Sequence, residues 1–189
     1  MAPALVDAVV KLGGGLLGDV EAFEAVLAVV GAHAPSRRLL LVAGGGPFAD
    51  AVRDADRRIG LSDTAAHWMA VLAMDQYAYL IASRMPNAAL VEEPLGISAA
   101  IEDGQLPVLA PSRWLRAVDP LPHSWDVTSD SIAAWIAGCL GARCLVLVKP
   151  SRADRNSDIV DPYFATALPA GLTATIVTAD QLDMLRSAL

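Results

Sequence analysis

Continuous apolar runs alternate along the chain with stretches of helical period, and several runs close in glycine or lysine. "LVDAVVKLGG" (5–14) predicts a buried strand, and "DVEAFEAVLAVVGAHA" (19–34) follows with apolar residues at helical spacing. Pro35, Arg37 and Arg38 then precede "LLLVAGGG" (39–46), a second apolar run ending in glycine. "PFADAVRDADRRIG" (47–60) carries Pro47 for a first helical turn and Gly60 for a helix end. The next stretch, 62–85, offers Ser62 or Asp63 as N-cap to a helix of some twenty residues.

Short strands are predicted at "AALVEE" (88–93) and "LPVLAP" (106–111), and Pro107 to Pro122 reads as a proline-rich connection. "TSDSIAAWIAGCLGA" (128–142) predicts a helix capped by Thr128 or Ser129, and "RCLVLVK" (143–149) another buried strand. A polar loop, "SRADRNSDIVD" (151–161), leads to a last strand, "LTATIVT", and a last helix, "ADQLDMLRSAL". Strand and helix alternating, with strands apolar on both faces, is the pattern of a parallel sheet covered on both sides. No linker or internal repeat divides residues 1–189, which read as one domain.

Composition adjusts this picture modestly. The mean hydropathy of +0.45 is high, yet charge or glycine interrupts every 18-residue window, so no membrane span is expected. The apolar surplus points to doubly buried strands or to a homo-oligomer interface. Asp7 and Lys11 break any leader-like pattern at the N-terminus, which makes the cytoplasm the expected compartment. Cys139 and Cys144 lack companion ligands and read as buried structural thiols. A net charge of −7 with no basic, aromatic-interleaved run argues against a nucleic-acid partner and favours a small-molecule substrate.

The candidate chemistry begins at "KLGGGLLG" (11–18). Its glycines either permit a tight turn or let backbone N–H groups approach a phosphate at a helix start. Residues 13–18 also satisfy G-x-G-x-x-G, but the dinucleotide fingerprint needs an acid at the end of the second strand, and "VAGGG" stands there. A Walker A loop is absent from the sequence.

Lysine usage gives a second signal. Twelve of the fourteen basic residues are arginine, and the two lysines, Lys11 and Lys149, both end apolar strands. In a parallel sheet those ends share one edge, where ligands bind and where a compact point charge is useful. The second triplet, Gly44, Gly45 and Gly46, ends on the same edge, so two glycine cradles suit two anionic groups. Asp126 and Asp130 surround a helix start. Asp130 either favours the helix dipole, orients the lysines or holds a nucleotide's magnesium. His67 and Asp75 lie two turns apart on a long apolar helix, either as a packed polar pair or as ligand contacts.

Together "VVKLGGGLL", "LVAGGGPFAD", "TSDSIAA" and "CLVLVK" resemble the amino-acid kinase superfamily in motif and order across residues 9–149. "WDVTSDSIAAW" in so short a chain is most similar to the branch of methanofuran-type cofactor biosynthesis, whose members convert an aminomethyl-furan-methyl phosphate to its diphosphate. The resemblance implies a three-layer α/β/α sandwich with a mostly parallel sheet, and an ATP- and Mg2+-dependent kinase. It implies catalytic roles for Lys11, Asp130 and Lys149, with Gly13, Gly14, Gly15 and Ser129 on the transferred phosphate or nucleotide. No direct protein ligand to the metal is assigned. Gly44, Gly45 and Gly46 would bind the acceptor, Asp75 or Asp126 its ammonium, and Trp125 its ring. The family's usual D-x-D-G stretch is replaced here by "KPSRADRNSDIVD", and no lysine follows Lys149. Two other expectations remain: a uridylate kinase-like nucleotide kinase, and a non-catalytic ligand-binding or storage protein on the same fold.

Overall fold

The computed structural model describes residues 5–151 and 159–189, so the polar loop at 152–158 lies outside the described residues. Its centre is one six-stranded sheet. The strands are β1 (Ala8–Leu12), β2 (Leu39–Ala43), β3 (Ala88–Val91), β4 (Leu106–Leu109), β5 (Cys144–Lys149) and β6 (Thr173–Thr178). Their spatial order is β3-β4-β2-β1-β5-β6, and every pairing is parallel. Parallel pairing needs a crossover between strands, and this sequence supplies a helical segment between consecutive strands.

Helices cover both faces: α1 (Val20–His33), α2 (Gly46–Ile59), α3 (Asp63–Arg84), α4 (Pro94–Glu102), α5 (Ser112–Val118), α6 (Ser129–Cys139), α7 (Phe164–Ala167) and α8 (Leu182–Ala188). One apolar layer joins Val10, Leu12, Leu41 and Val148 to Phe23, Val26 and Leu185 of α1 and α8. The other joins Val9, Val42, Leu145 and Leu147 to Leu115, Ile132 and Ile136 of α5 and α6. Helix α3 serves both, with Val71 and Met74 in the second and Tyr77 and Ile81 in the first. This is the expected three-layer sandwich.

Caps follow the sequence locally. Asp19 accepts the Ala22 N–H at 3.1 Å to open α1, and Ser62 accepts the Ala65 N–H at 3.2 Å to open α3. Two elements differ from expectation. The proline-rich connection holds a two-turn helix, α5, bounded by Pro111 and Pro120, and "PLGISAAIE" forms α4 behind Pro94. Both begin at a proline, which pre-sets the first helical turn. The cysteines are also corrected: Cys139 ends α6 on its exposed side and Cys144 is half-buried.

Strand β1 lies between β2 and β5. The chain leaves β1 toward β2 on one side and later returns as β5 on the other. A crevice therefore opens above the carboxyl ends of β1 and β5, the general ligand position in open parallel sheets.

Candidate active site

Strand parity decides where the two lysines point. Successive strand residues face opposite sides of a sheet, so Lys11 shares a face with Val9, and Lys149 with Leu145 and Leu147. That is the face covered by α6. Lys11 pairs in register with Leu147, and Lys149 stands one rung beyond the Leu12–Val148 pair, so both ammonium groups reach the same end of the sheet. The first turn of α6 brings Asp130 down between them. Lys11 Nζ donates to Oδ1 at 2.8 Å and Lys149 Nζ to Oδ2 at 2.6 Å.

Among the alternatives for Asp130, this geometry is that of a carboxylate orienting both lysines, since each oxygen is taken by an ammonium. The group of three carries one surplus positive charge. Lys11 is 3% exposed and Asp130 4%. Burial pulls the Lys11 ammonium below its usual 10.5, with Asp130 opposing that pull and Lys149 adding to it. Burial pushes the Asp130 carboxyl up, but the two lysines outweigh it and leave it below 3.8. The stability Asp130 contributes is therefore complete above pH 3.8 and declines as pH falls through its lowered folded value. Thermal melts across pH 2 to 6 are expected to show this acid loss in the native protein and a flatter profile in Asp130→Asn.

The two glycine triplets meet above the lysines. Gly13 and Gly44 extend the sheet, donating N–H bonds of 2.8 Å to the carbonyls of Val148 and Leu12 respectively. Gly14, Gly15, Gly45 and Gly46 instead line a cavity of about 230 Å³ with Lys11, Lys149, Asp130, Ser129 and Thr128. A methyl group on Gly14 would lie 2.2 Å from the Gly46 nitrogen, so the loops touch with no space for side chains. Gly46 has φ +56°, the left-handed region that glycine enters freely, and α2 starts there.

A second, narrower cavity of about 40 Å³ adjoins the first and shares Gly45, Ala49, Arg53, Thr128 and Ser129 with it. Trp125, His67, Val71 and Met74 form its walls. Trp125 donates its indole N–H to Asp56 at 2.7 Å, and Arg53 lies 5.1 Å over one face of the ring. Arg53 therefore occupies one face of the Trp125 ring.

Asp75 and Asp126 line neither cavity. Asp75 accepts the Ser112 N–H at 3.0 Å at the start of α5, and burial raises its pKa. Asp126 is exposed, and its carbonyl accepts the Tyr163 N–H at 3.1 Å. The carboxylate on the second cavity is Asp63, which shares one stripe of α3 with His67, Ala70 and Met74. That three-and-four spacing was the signal available in the sequence. Arg53 is found in the same way, one turn beyond Ala49 on α2.

Asp161 gave no local signal. Its Oδ2 accepts the Thr128 N–H at 2.9 Å, the Thr128 hydroxyl at 2.7 Å and the Ser131 N–H at 3.0 Å, while Oδ1 accepts the Ser131 hydroxyl. Thr128 occupies the N-cap position but makes no side-chain cap bond. The cap comes from 33 residues away, and through α6 it fixes the position of Asp130.

The pattern of the amino acid kinase family matches residues 8–151. The chain belongs to that family. It is 27% identical over 179 residues to "[5-(aminomethyl)furan-3-yl]methyl phosphate kinase" of Methanocaldococcus jannaschii, covering 95% of this chain and 77% of that protein. Its fold is that of the uridylate kinase of Archaeoglobus fulgidus, with a TM-score of 0.70 and 16% identity over 96% of this chain and 95% of the other. The UMP kinase of Ureaplasma parvum superposes with a TM-score of 0.68 and 14% identity, over 96% of this chain and 95% of that one. The protein is a phosphotransferase of the amino acid kinase family, and that membership implies ATP as donor and a small molecule as acceptor. Among the described residues no helix is long and apolar enough to cross a membrane.

Proposed function

We propose that this kinase transfers the γ-phosphoryl group of MgATP to a small phosphorylated acceptor, an aminomethyl-furan-methyl phosphate or close analogue, and releases the diphosphate and ADP. The observation that carries the proposal is the surplus cation of the Lys11–Asp130–Lys149 group between two glycine loops, opening onto a small apolar cavity with Arg53 at the junction. The M. jannaschii relative supplies the acceptor class.

Phosphoryl transfer asks the protein mainly to align donor and acceptor and to stabilise charge on the equatorial oxygens. In this reading Lys11, Lys149 and the amides of Gly14 and Gly15 hold the transferred group, with Ser129 beside it. Gly45, Gly46 and Arg53 hold the acceptor phosphate. That phosphate needs no general base, because its second pKa of about 6 leaves it ionised at neutral pH. Magnesium arrives on the nucleotide, since both Asp130 oxygens are engaged by lysine.

The narrow cavity favours the furan acceptor over uridine monophosphate. At about 40 Å³ it is far smaller than the 230 Å³ cavity it adjoins, which suits a single small ring better than a nucleoside. Trp125 lines this cavity and would stack on such a ring, and Asp63 stands in the wall as the partner for its ammonium. Asp63→Asn is expected to raise KM for the amine-bearing phosphate up to about fivefold with little change in kcat, the size of effect an exposed charge pair gives. Steady-state kinetics on that acceptor and on its des-amino analogue check this, the analogue showing no comparable rise.

Coupled measurement of ADP release, with MgATP and either the furan phosphate or uridine monophosphate, tests the proposal. Turnover of the furan phosphate alone is expected. ATP consumption with neither acceptor, or with uridine monophosphate alone, contradicts it.

A homo-oligomer is also part of this reading. Met69, Leu72 and Tyr79 are exposed along one stripe of α3, Tyr79 by 60%, and a second copy of the chain is the self-complementary occupant. Light scattering at micromolar concentration is expected to give at least a dimer, and a monomer overturns it.

A further inference from the structure

We infer that His67, His123 and Asp119 form a transition-metal site in the wall of the acceptor cavity, separate from the lysine group. One ligand atom from each residue lies within 4.8 Å of those of the other two. His67 comes from α3, Asp119 caps α5 and His123 follows in the next loop.

His123 Nε2 lies 2.9 Å from Asp119 Oδ1, and its Nδ1 lies 3.0 Å from Thr64 Oγ1. A ring nitrogen and a carboxylate oxygen at that distance share a hydrogen, as an N–H donating to the carboxylate does. A metal ion at about 2.0 to 2.2 Å from each atom can take its place once the two separate by about half an ångström. With Nδ1–H donating to the threonine hydroxyl, the Nε2 lone pair faces Asp119. Metal-ligating histidines are oriented by this kind of outer hydrogen bond.

His67 is the independent observation. It is 9% exposed, lines the acceptor cavity, and its ring nitrogens make no hydrogen bond among the described residues. An imidazole that lines a cavity and has no hydrogen-bond partner is available to a ligand there. Burial, then the neighbouring His123, hold its pKa down at about 4, against a smaller opposing pull from Asp119.

The two imidazoles stack, with centroids 4.2 Å apart and planes 19° from parallel, so their lone pairs do not converge without movement. The torsion of His67 about its Cβ–Cγ bond is soft, and the adjoining cavity gives the ring room to turn toward the ion. Trp68 packs edge-on against both rings, at 4.9 and 5.4 Å, and fences the group on that side.

Two imidazoles and one carboxylate suit Zn2+ or Co2+, whereas Mg2+ prefers oxygen ligands and retains its water. Three protein ligands leave one position of a tetrahedral ion for water or a basic group of the acceptor. The ion would tie the start of α3 to the loop after α5 and fix the cavity wall they share.

The test uses the whole protein, stripped of metal by a chelator and titrated with zinc sulfate by calorimetry and with cobalt chloride by visible absorption. One Zn2+ per chain and the absorption bands of tetrahedral Co2+ are expected, with no competition from Mg2+. His67→Ala, His123→Ala and Asp119→Asn should each weaken zinc affinity by about tenfold or more. Asparagine tolerates the left-handed backbone of Asp119, at φ 41°, so that variant keeps the turn, and melting curves verify all three. Cys139→Ser should bind as the native protein does. Absence of zinc binding, binding that survives all three variants, or binding that follows Cys139 overturns the site. None of these readouts needs turnover, so their failure leaves the kinase reading intact.

Discussion

Lys11→Ala is expected to lower phosphoryl transfer by about a thousandfold while leaving the fold assembled. The native group holds two ammoniums against one carboxylate, and under the proposed function the surplus charge would receive an incoming phosphate. Without Lys11 the pair of Lys149 and Asp130 is neutral, and the cavity loses its net attraction for equatorial oxygens. Stability is largely kept, because Asp130 retains the 2.6 Å bond to Lys149 and no buried charge is orphaned. Asp130→Ala is the informative contrast. It leaves two ammoniums facing each other in a nearly dry site, and about 3 to 5 kcal/mol of stability is expected to go with the activity. Steady-state kinetics and melting curves on both variants separate the two effects. Lys11→Ala that loses turnover in the assay yet keeps full function in the cell would favour a binding or storage role for this fold.

The second large effect concerns packing between the glycine loops. In Gly14→Ala the new methyl would stand 2.2 Å from the Gly46 nitrogen and 2.5 Å from its Cα. Backbone atoms on both sides must shift, because no flexible side chain is there to yield. Overpacking of this kind costs about 3 kcal/mol, which for a chain of this size lowers Tm by roughly 6 to 12 °C. Transfer should fail in the folded fraction too, since Gly14 and Gly46 both line the phosphate cavity. Gly18→Ala is the control. Nothing lies within 4 Å of its added methyl, and melting and kinetics should stay close to native.

These cases show which parts of the site were legible in the sequence. Strand periodicity and the rarity of lysine placed Lys11 and Lys149 on one edge, and strand parity then put both on the α6 face. The triplets were legible as a pair, but only pairing in space separates Gly13 and Gly44, bonded into the sheet, from the four glycines that face the cavity. Asp75 was a candidate from its two-turn spacing to His67 and from the ammonium of the acceptor that the resemblance implies. On a helix each residue turns about 100°, and that one step carries Asp75 from the His67–Met74 stripe to the start of α5. Asp161 lay beyond local reasoning altogether, since it caps a helix 33 residues earlier in the chain. Helices α4 and α5 were hidden by length: at nine and seven residues they offer too few turns for a period to stand out.

The central claim is that the two cradles bring a nucleotide γ-phosphoryl group and an acceptor phosphate together above Lys11 and Lys149. Phosphorus NMR of the native protein with MgATP and the aminomethyl-furan-methyl phosphate tests it most directly. The account predicts that the acceptor's monophosphate resonance is replaced by two mutually coupled resonances of a diphosphate as ADP accumulates. An unchanged acceptor resonance, with ATP either intact or hydrolysed to free phosphate, would contradict it.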